Sequence, residues 1–255
     1  MRNPLLFRYR NRINERHILY FKILYNYMKF KIYVKRTFQL LFLCFHFQCS
    51  VNNTNLLPEP SMEIINEVKN RSVILHYNIS DYAKGTGMLL DEEGHVITSR
   101  HVILGWEDRV RISQDSKTFY NAKVIAEEPK LDLVILKTEL KNKLKKLTLV
   151  DRSELKTNQS IFLYGAPWGI GNSFLKGYIS DTNRIGIDSS MPEVPFIQTV
   201  GTSYPGCSGA GVFLNDGSFI GINRATIGNE PGNSIGLVIP ATFVKVMLKM
   251  RKFAL

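Results

Sequence analysis

The sequence predicts an all-β protein made of two tandem six-stranded antiparallel β-barrels followed by a short C-terminal helix. From about residue 64, short apolar stretches alternate with turns rich in Gly, Asp and Asn, a pattern typical of barrels and sandwiches. The stretches form two sets of similar size, separated near residues 140–158 by a Lys-rich loop. A chain of 255 residues is long enough to bury a sizeable core in such a domain or in two small ones.

The first barrel is predicted at about residues 64–145. The segment Asp91–Gly94 between two of its strands indicates a hairpin turn in which glycine supplies the positive φ. The lysines at positions 141, 143, 145 and 146 indicate a solvated loop at its end. Its predicted strands are Val73–Leu75, Gly87–Leu90, Val96–Thr98, Val110–Ile112, Ala122–Ala126 and Leu133–Leu136.

The second barrel is predicted at about residues 156–240, with a helix at about 241–252. Apolar residues recur there at helical spacing, at Phe243, Val246, Met247 and Met250, and we expect this stripe to pack on the barrels rather than on a membrane or partner. Asn215–Gly217 is a second hairpin turn. The predicted strands are Ser160–Tyr164, Phe174–Ile179, Phe196–Val200, Gly211–Leu214 and Phe219–Ile222.

Residues 1–50 are interpreted as a signal or anchor segment and residues 51–63 as a linker. From Met28, a hypothetical true start, a basic region precedes an apolar run of about a dozen residues, the layout of an export signal. The run is shorter than the roughly 20 residues of a membrane-spanning helix. Three alternatives stay open: cleavage nearby, lipidation of Cys49, and an uncleaved membrane anchor. Each places residues 64–255 outside the cytoplasm.

The charge and cysteine content exclude two classes of protein. Residues 1–50 hold ten Lys or Arg and one acid (net +9), whereas residues 51–255 hold 23 Lys or Arg and 21 acids (net +2). The basic excess therefore belongs to the N-terminal segment, and no nucleic-acid partner is indicated. Three cysteines are too few for a disulfide scaffold, and Cys207 is the only one in the body.

A serine in a glycine-rich turn is the first candidate for chemistry. Ser208 lies in Tyr204–Gly211, immediately before an apolar stretch. Flanking glycines let backbone N–H groups approach a ligand, as a nucleophilic serine and its oxyanion hole require. Short Gly/Ser strings are also common ordinary turns, so the interpretation depends on partners elsewhere.

His101 and Asp132 are the candidate partners. His101 follows a predicted strand end, and Asp132 opens the apolar strand Leu133–Leu136. A carboxylate there is expected to be buried and to need a partner, although a packed histidine and a strand-capping aspartate are the alternatives for each alone. Together they predict a triad: Ser208 attacks, His101 takes the proton, and Asp132 fixes the imidazole. The N–H groups of Gly206 and Ser208 would form the oxyanion hole, with no metal or organic cofactor.

Five collinear segments resemble the HtrA/Deg serine proteases. They are Gly85–Ile103, Leu131–Leu136, Gln159–Gly177, Gln198–Gly211 and Gly221–Pro240, which together span roughly residues 70–250. The resemblance implies a chymotrypsin-like double barrel, a trypsin-like peptidase domain and possible trimers. Because the sequence stops after the predicted terminal helix, we expect no room for the PDZ domain that many family members carry. Cys207 stands where the family usually has Asn, Ala210 where a second Gly is usual, and Arg224 where a small polar residue is usual.

The leading hypothesis is therefore a secreted, periplasmic or envelope-anchored serine endopeptidase acting on exposed protein segments. The alternative is an inactive binding or chaperone-like module that uses the same cleft. Because residues 199–203 contain no acid, small or medium uncharged residues are expected before the scissile bond, unless Arg224 reaches the pocket and favours acidic ones. Oxidation of Cys207 is hypothesised to distort the oxyanion hole. The predicted substrate-binding residues are Thr202, Ser203, Asn223 and Arg224.

Overall fold

A computed structural model describes residues 22, 24–32, 34–35, 59–78, 83–227, 235–251 and 253. The chain divides into two units, Met1–Leu56 and Leu57–Leu255. In the first unit, residues 24–32 form a helix, α1. Among the described residues, no helix is both long and apolar enough to cross a membrane. The apolar run of the predicted signal, Cys49 and most of the predicted linker lie outside the described residues, so those interpretations stay predictions.

The first barrel closes with the strand order β1-β2-β3-β6-β5-β4, and every neighbouring pair is antiparallel. The predicted strands are confirmed, although β5 extends beyond its prediction at both ends. The lysines of the 141–146 loop are exposed, as expected. The strands are β1 (Ser72–His76), β2 (Gly85–Leu89), β3 (His95–Ser99), β4 (Arg111–Ser113), β5 (Tyr120–Glu128) and β6 (Leu133–Thr138).

The second barrel repeats this topology, with the order β7-β8-β9-β12-β11-β10. Its sixth strand, β12, lies where the apolar pattern had located no strand and closes the barrel between β9 and β11. The strands are β7 (Ser160–Gly165), β8 (Ser173–Arg184), β9 (Phe196–Val200), β10 (Gly211–Leu214), β11 (Phe219–Ile227) and β12 (Ile235–Pro240).

Residues 62–71 form a helix, which corrects the expectation of strands from residue 64. Helix α2 (Met62–Arg71) starts at Ser61, whose hydroxyl accepts a hydrogen bond from the Ile64 N–H, and Glu63 lies in its first turn. Arg71 at its end is 2 % exposed and donates to the carbonyl of Leu89. The N-cap and the acidic first turn were the signals that could have located this helix.

The C-terminal helix α4 (Ala241–Met250) is confirmed, but its buried stripe differs from the prediction. The buried residues are Ala241, Val244, Met247 and Leu248, whereas Val246 and Met250 are exposed. The helix follows β12 directly, so the direction in which that strand ends sets which face meets the barrel.

Three apolar clusters make up the core. One fills the first barrel, around Val73 and Leu136, and one fills the second barrel, around Leu163 and Val238. The third contains residues of both barrels and therefore joins them. Its members from the two sides include Met88, Ile97, Leu133, Ile135, Phe162, Phe213, Phe219 and Ile222.

Candidate active site

The pairing of two strands places His101 beside Asp132. Strands β3 and β6 are antiparallel, with Ser99 opposite Leu133 at their ends. His101 lies in the single-turn helix α3 (Arg100–Ile103) directly after β3. The N–H of Arg100 donates to the Asp132 carbonyl at 2.7 Å, which continues the ladder by one step. Residues far apart in sequence are thereby held next to each other by backbone.

The Asp132 carboxylate contacts His101 at two points. Its Oδ1 accepts from the His101 backbone N–H at 2.8 Å, and its Oδ2 lies 2.6 Å from His101 Nδ1. Asp132 is 8 % exposed and adopts a left-handed backbone conformation, with φ of 53°, which aspartate tolerates better than most residues. Because an ionised carboxylate can only accept, the proton lies on Nδ1, and Nε2 is left available as a base.

Ser208 is tied to the first barrel through its backbone. Its carbonyl accepts from the Thr86 N–H at 2.8 Å. The next residue, Gly209, has a φ of +87°, and a Cβ there would lie 2.1 Å from the Thr86 carbonyl oxygen and 3.0 Å from the Ser99 nitrogen. Only glycine allows this approach to the strand that leads to His101. In the part of the chain that the structure describes, however, no hydrogen bond joins the Ser208 hydroxyl to the His101 ring.

The Gly206 N–H is oriented by its neighbour's carbonyl. The Pro205 carbonyl accepts from the Trp168 N–H at 2.6 Å. Because the peptide is trans, the N–H of Gly206 points to the opposite side. Gly206 has a φ of +94°, and a Cβ would lie 2.1 Å from the Ala166 carbonyl oxygen, so this conformation requires glycine.

The Ser208 N–H is oriented in the same way. The Cys207 carbonyl accepts from Asn223 Nδ2 and from the Ala210 N–H, each at 3.1 Å. The Ser208 N–H of that peptide therefore points away from both donors. Among the described residues, neither this N–H nor that of Gly206 donates to a protein acceptor. Two fixed, available donors are what an oxyanion hole requires.

Cys207 and Ala210, the two departures nearest the serine, are core residues. Both are fully buried, in the cluster that fills the second barrel. Burial raises the pKa of the Cys207 thiol to about 12, and the hydrogen bond with the Tyr204 backbone opposes this only in part. This burial argues against control of the loop by oxidation of Cys207, since thiol oxidation requires access and thiolate.

The Arg224 side chain lies beside the His–Asp pair rather than free to meet a substrate. Its Nε is 2.9 Å from Asp132 Oδ2, its Nη2 is 3.6 Å from Asp188 Oδ2, and its Nη1 is 3.4 Å from His101 Nδ1. The Nε–H makes no aligned hydrogen bond, so the contact with Asp132 is chiefly between charges. The proximity of these carboxylates argues against selection of acidic substrate residues by Arg224.

The other predicted substrate-binding residues are buried. Thr202 and Ser203 have no exposed surface, and Asn223 is 1 % exposed. The side-chain amide of Asn223 donates to the Cys207 carbonyl and so supports the serine loop, while its assignment to substrate binding stays a prediction. The assignments of Thr202 and Ser203 stay predictions.

Asp188 was not found from the sequence. It lies in the loop between β8 and β9, which has no periodic pattern. Burial alone would raise its pKa, but hydrogen bonds from the Ser190 hydroxyl and N–H and the charge of Arg224 lower the pKa overall. In the described residues, no three His, Cys, Asp or Glu side chains cluster as metal ligands would.

Residues 85–222, more than half of the chain, match the trypsin-like peptidase domain family. The chain belongs to this family. It is 35 % identical over 156 residues to a probable periplasmic serine endoprotease DegP-like protein of Halomonas elongata, which covers 60 % of this chain and 31 % of that protein. It is 31 % identical over 164 residues to the chloroplastic Protease Do-like 1 of Arabidopsis thaliana, which covers 63 % and 37 %.

The solved structures give the same result for the fold. The HtrA-type protease AlgW with tripeptide superposes with a TM-score of 0.64 at 28 % identity, and the match covers 76 % of this chain and 63 % of that one. The expected resemblance to HtrA-type serine proteases and the double-barrel fold are thus confirmed. The chain spans about a third of the length of the curated relatives it matches.

Proposed function

We propose that this protein is a serine endopeptidase that uses His101, Asp132 and Ser208 as its triad. The observation that carries the proposal is the two-point contact of His101 with Asp132. It is joined by a serine whose backbone is bonded to the first barrel and whose loop leaves two N–H groups without acceptors among the described residues. Membership of the trypsin-like peptidase family supports the same conclusion.

The proposed mechanism uses His101 Nε2 as the base and the N–H groups of Gly206 and Ser208 as hydrogen-bond donors. Ser208 Oγ attacks the substrate carbonyl while Nε2 of His101 takes its proton, and Asp132 stabilises the imidazolium. The oxyanion receives hydrogen bonds from the N–H groups of Gly206 and Ser208. Nε2 then passes the proton to the leaving amine, and the acyl-enzyme is hydrolysed when the same nitrogen deprotonates a water molecule.

Substrates are proposed to be exposed or unfolded protein segments outside the cytoplasm. The relative from Halomonas elongata is named periplasmic, and the AlgW structure contains a tripeptide. Small or medium uncharged side chains are proposed before the scissile bond, because residues 199–203 contain no acid and Arg224 is engaged by two carboxylates. Cleavage of a peptide library mainly after Lys or Arg would contradict this specificity. A homo-oligomer and membrane anchoring stay predictions.

A fluorophosphonate probe tests the proposed function. We expect stoichiometric labelling of the wild type at one serine, and none in Ser208→Ala. Ser113→Ala is the matched control, because it removes another fully buried hydroxyl, in β4 of the first barrel, and it should still be labelled. Intact mass before and after labelling gives the stoichiometry.

The inactive binding module predicts a different result. If wild-type protein with a cooperative unfolding transition is not labelled, yet binds unfolded polypeptide, the proposed activity is wrong. Labelling that persists in Ser208→Ala would instead contradict the assignment of the nucleophile.

A further inference from the structure

A cation lies between the catalytic carboxylate and a second carboxylate. Arg224 Nε is 2.9 Å from Asp132 Oδ2, the same oxygen that His101 Nδ1 approaches to 2.6 Å. The Arg224 side chain is 17 % exposed, and those of Asp132 and Asp188 are 12 % and 15 % exposed. Contacts this sheltered from water are screened less than surface ion pairs.

Taken alone, Arg224 would weaken the base. General-base catalysis forms an imidazolium at His101, which a negative neighbour stabilises and a positive neighbour destabilises. The Arg224 Nη1 is 3.4 Å from His101 Nδ1. With Asp132 and Arg224 only, the neighbouring charges would sum to zero, and the imidazolium would lose the net stabilisation that the triad normally gives it.

Asp188 restores the balance. Its Oδ2 lies 3.6 Å from the Arg224 Nη2, and both hydrogen bonds and the cation favour its ionised form. Asp132, Arg224 and Asp188 together carry a net charge of −1, the same as a lone triad aspartate. Arg224 therefore holds the Asp132 carboxylate, while Asp188 cancels the electrostatic cost of that cation.

We propose that Arg224 and Asp188 form a charge-compensated positioning pair for the His101–Asp132 dyad. The proposal rests on the proposed function. Among the described residues, Arg100 on the same helix is paired with Glu127 of β5, and Glu107 in the loop after that helix acts on Arg100. These groups are unchanged in all the variants below.

The test compares the acid limb of the pH profile of fluorophosphonate labelling in three variants. Arg224→Gln leaves a net charge of −2, which favours the imidazolium, so the limb should move to higher pH by about one unit. Asp188→Asn leaves a net charge of zero, which disfavours the imidazolium, so the limb should move to lower pH. The shift should be only roughly half a unit, since Arg224 separates this carboxylate from His101. The double variant has a net charge of −1 again, and because the two shifts oppose each other its limb should lie between those of the single variants, roughly half a unit above the wild type.

Two further variants separate charge from geometry. Arg224→Lys keeps the charge but not the planar guanidinium, so the labelling rate should fall while the limb stays in place. Arg184→Gln removes another Arg–Asp pair of the same β8–β9 region, with Asp181 at 3.0 Å, and should change neither quantity. Thermal unfolding of each variant identifies losses due to misfolding.

A second readout does not require activity. The His101 ring is titrated by NMR in isotope-labelled Ser208→Ala protein, and its signal is assigned by its loss in a His101→Ala variant. Its titration midpoint should move up in Arg224→Gln and down in Asp188→Asn, and the two changes should oppose each other in the double variant. The proposal would be overturned if Arg224→Gln and Asp188→Asn shifted the midpoint in the same direction or not at all. It would also be overturned if the double variant lay further from the wild type than the Arg224→Gln variant. If the wild type were not labelled but the expected NMR shifts were observed, the protease activity would be refuted and the positioning pair would stand.

Discussion

The buried thiol of Cys207 should be inert in the folded protein although it adjoins the proposed nucleophile. With a pKa of about 12 instead of 9.0, the thiolate fraction at pH 7.4 falls from about one in 40 to about one in 40,000, so reaction through the folded state slows by a factor of about 1,000. We expect Ellman's reagent to modify native Cys44→Ser/Cys49→Ser protein no faster than the protein unfolds. Peroxide should likewise leave probe labelling at Ser208 unchanged.

The same burial predicts a loss of stability at alkaline pH. The folded state raises the pKa of this acid above its unfolded value, so its contribution is complete below pH 9 and declines as pH rises from about 9 to 12. At pH 10 the loss amounts to about 1.4 kcal/mol of the free energy of unfolding. Urea unfolding at pH 8 and pH 10 should show this difference in the parent and not in its Cys207→Ala derivative. Rapid, stoichiometric modification of folded protein, or equal pH dependence in both proteins, would refute the reasoning.

Two further predictions concern the residues that position the triad. Gly209→Ala should reduce the free energy of unfolding by several kcal/mol, because a Cβ would lie 2.1 Å from the Thr86 carbonyl oxygen. Gly105 has a similar φ but nothing within 4 Å of the Cβ position, so Gly105→Ala should cost only about 1 kcal/mol. Equal losses in the two variants would contradict this account. Asp132→Asn should lower the labelling rate by about 10³ to 10⁴ with stability nearly retained, and a change below tenfold would argue against a triad.

The sequence was sufficient for the parts of the site that follow from local pattern. The β3 and β6 strands could be located from their apolar residues, and a carboxylate that starts a buried strand needs a partner. The predicted pairing of His101 with Asp132 agrees with the observed contact for this physical reason. Helix α2 does not follow from the apolar pattern because its apolar residues are few, and its local signal is the capping residue Ser61.

The position of Arg224 could not be deduced from period-two alternation along a strand. In the ladder between β11 and β12, Asn223 pairs with Val238 and Ala225 pairs with Leu237, so Arg224 is the extra residue of a β-bulge. A bulge changes which face the following side chains occupy, and a one-residue irregularity leaves no mark in the apolar pattern. The bulge lies one residue after Asn223, whose backbone carbonyl accepts from the Gly209 N–H at 2.7 Å. The same stretch of β11 thus supports the Ser208 loop and places the Arg224 guanidinium beside Asp132. A substitution that removed the bulge should therefore alter both the loop and the Arg224–Asp132 contact.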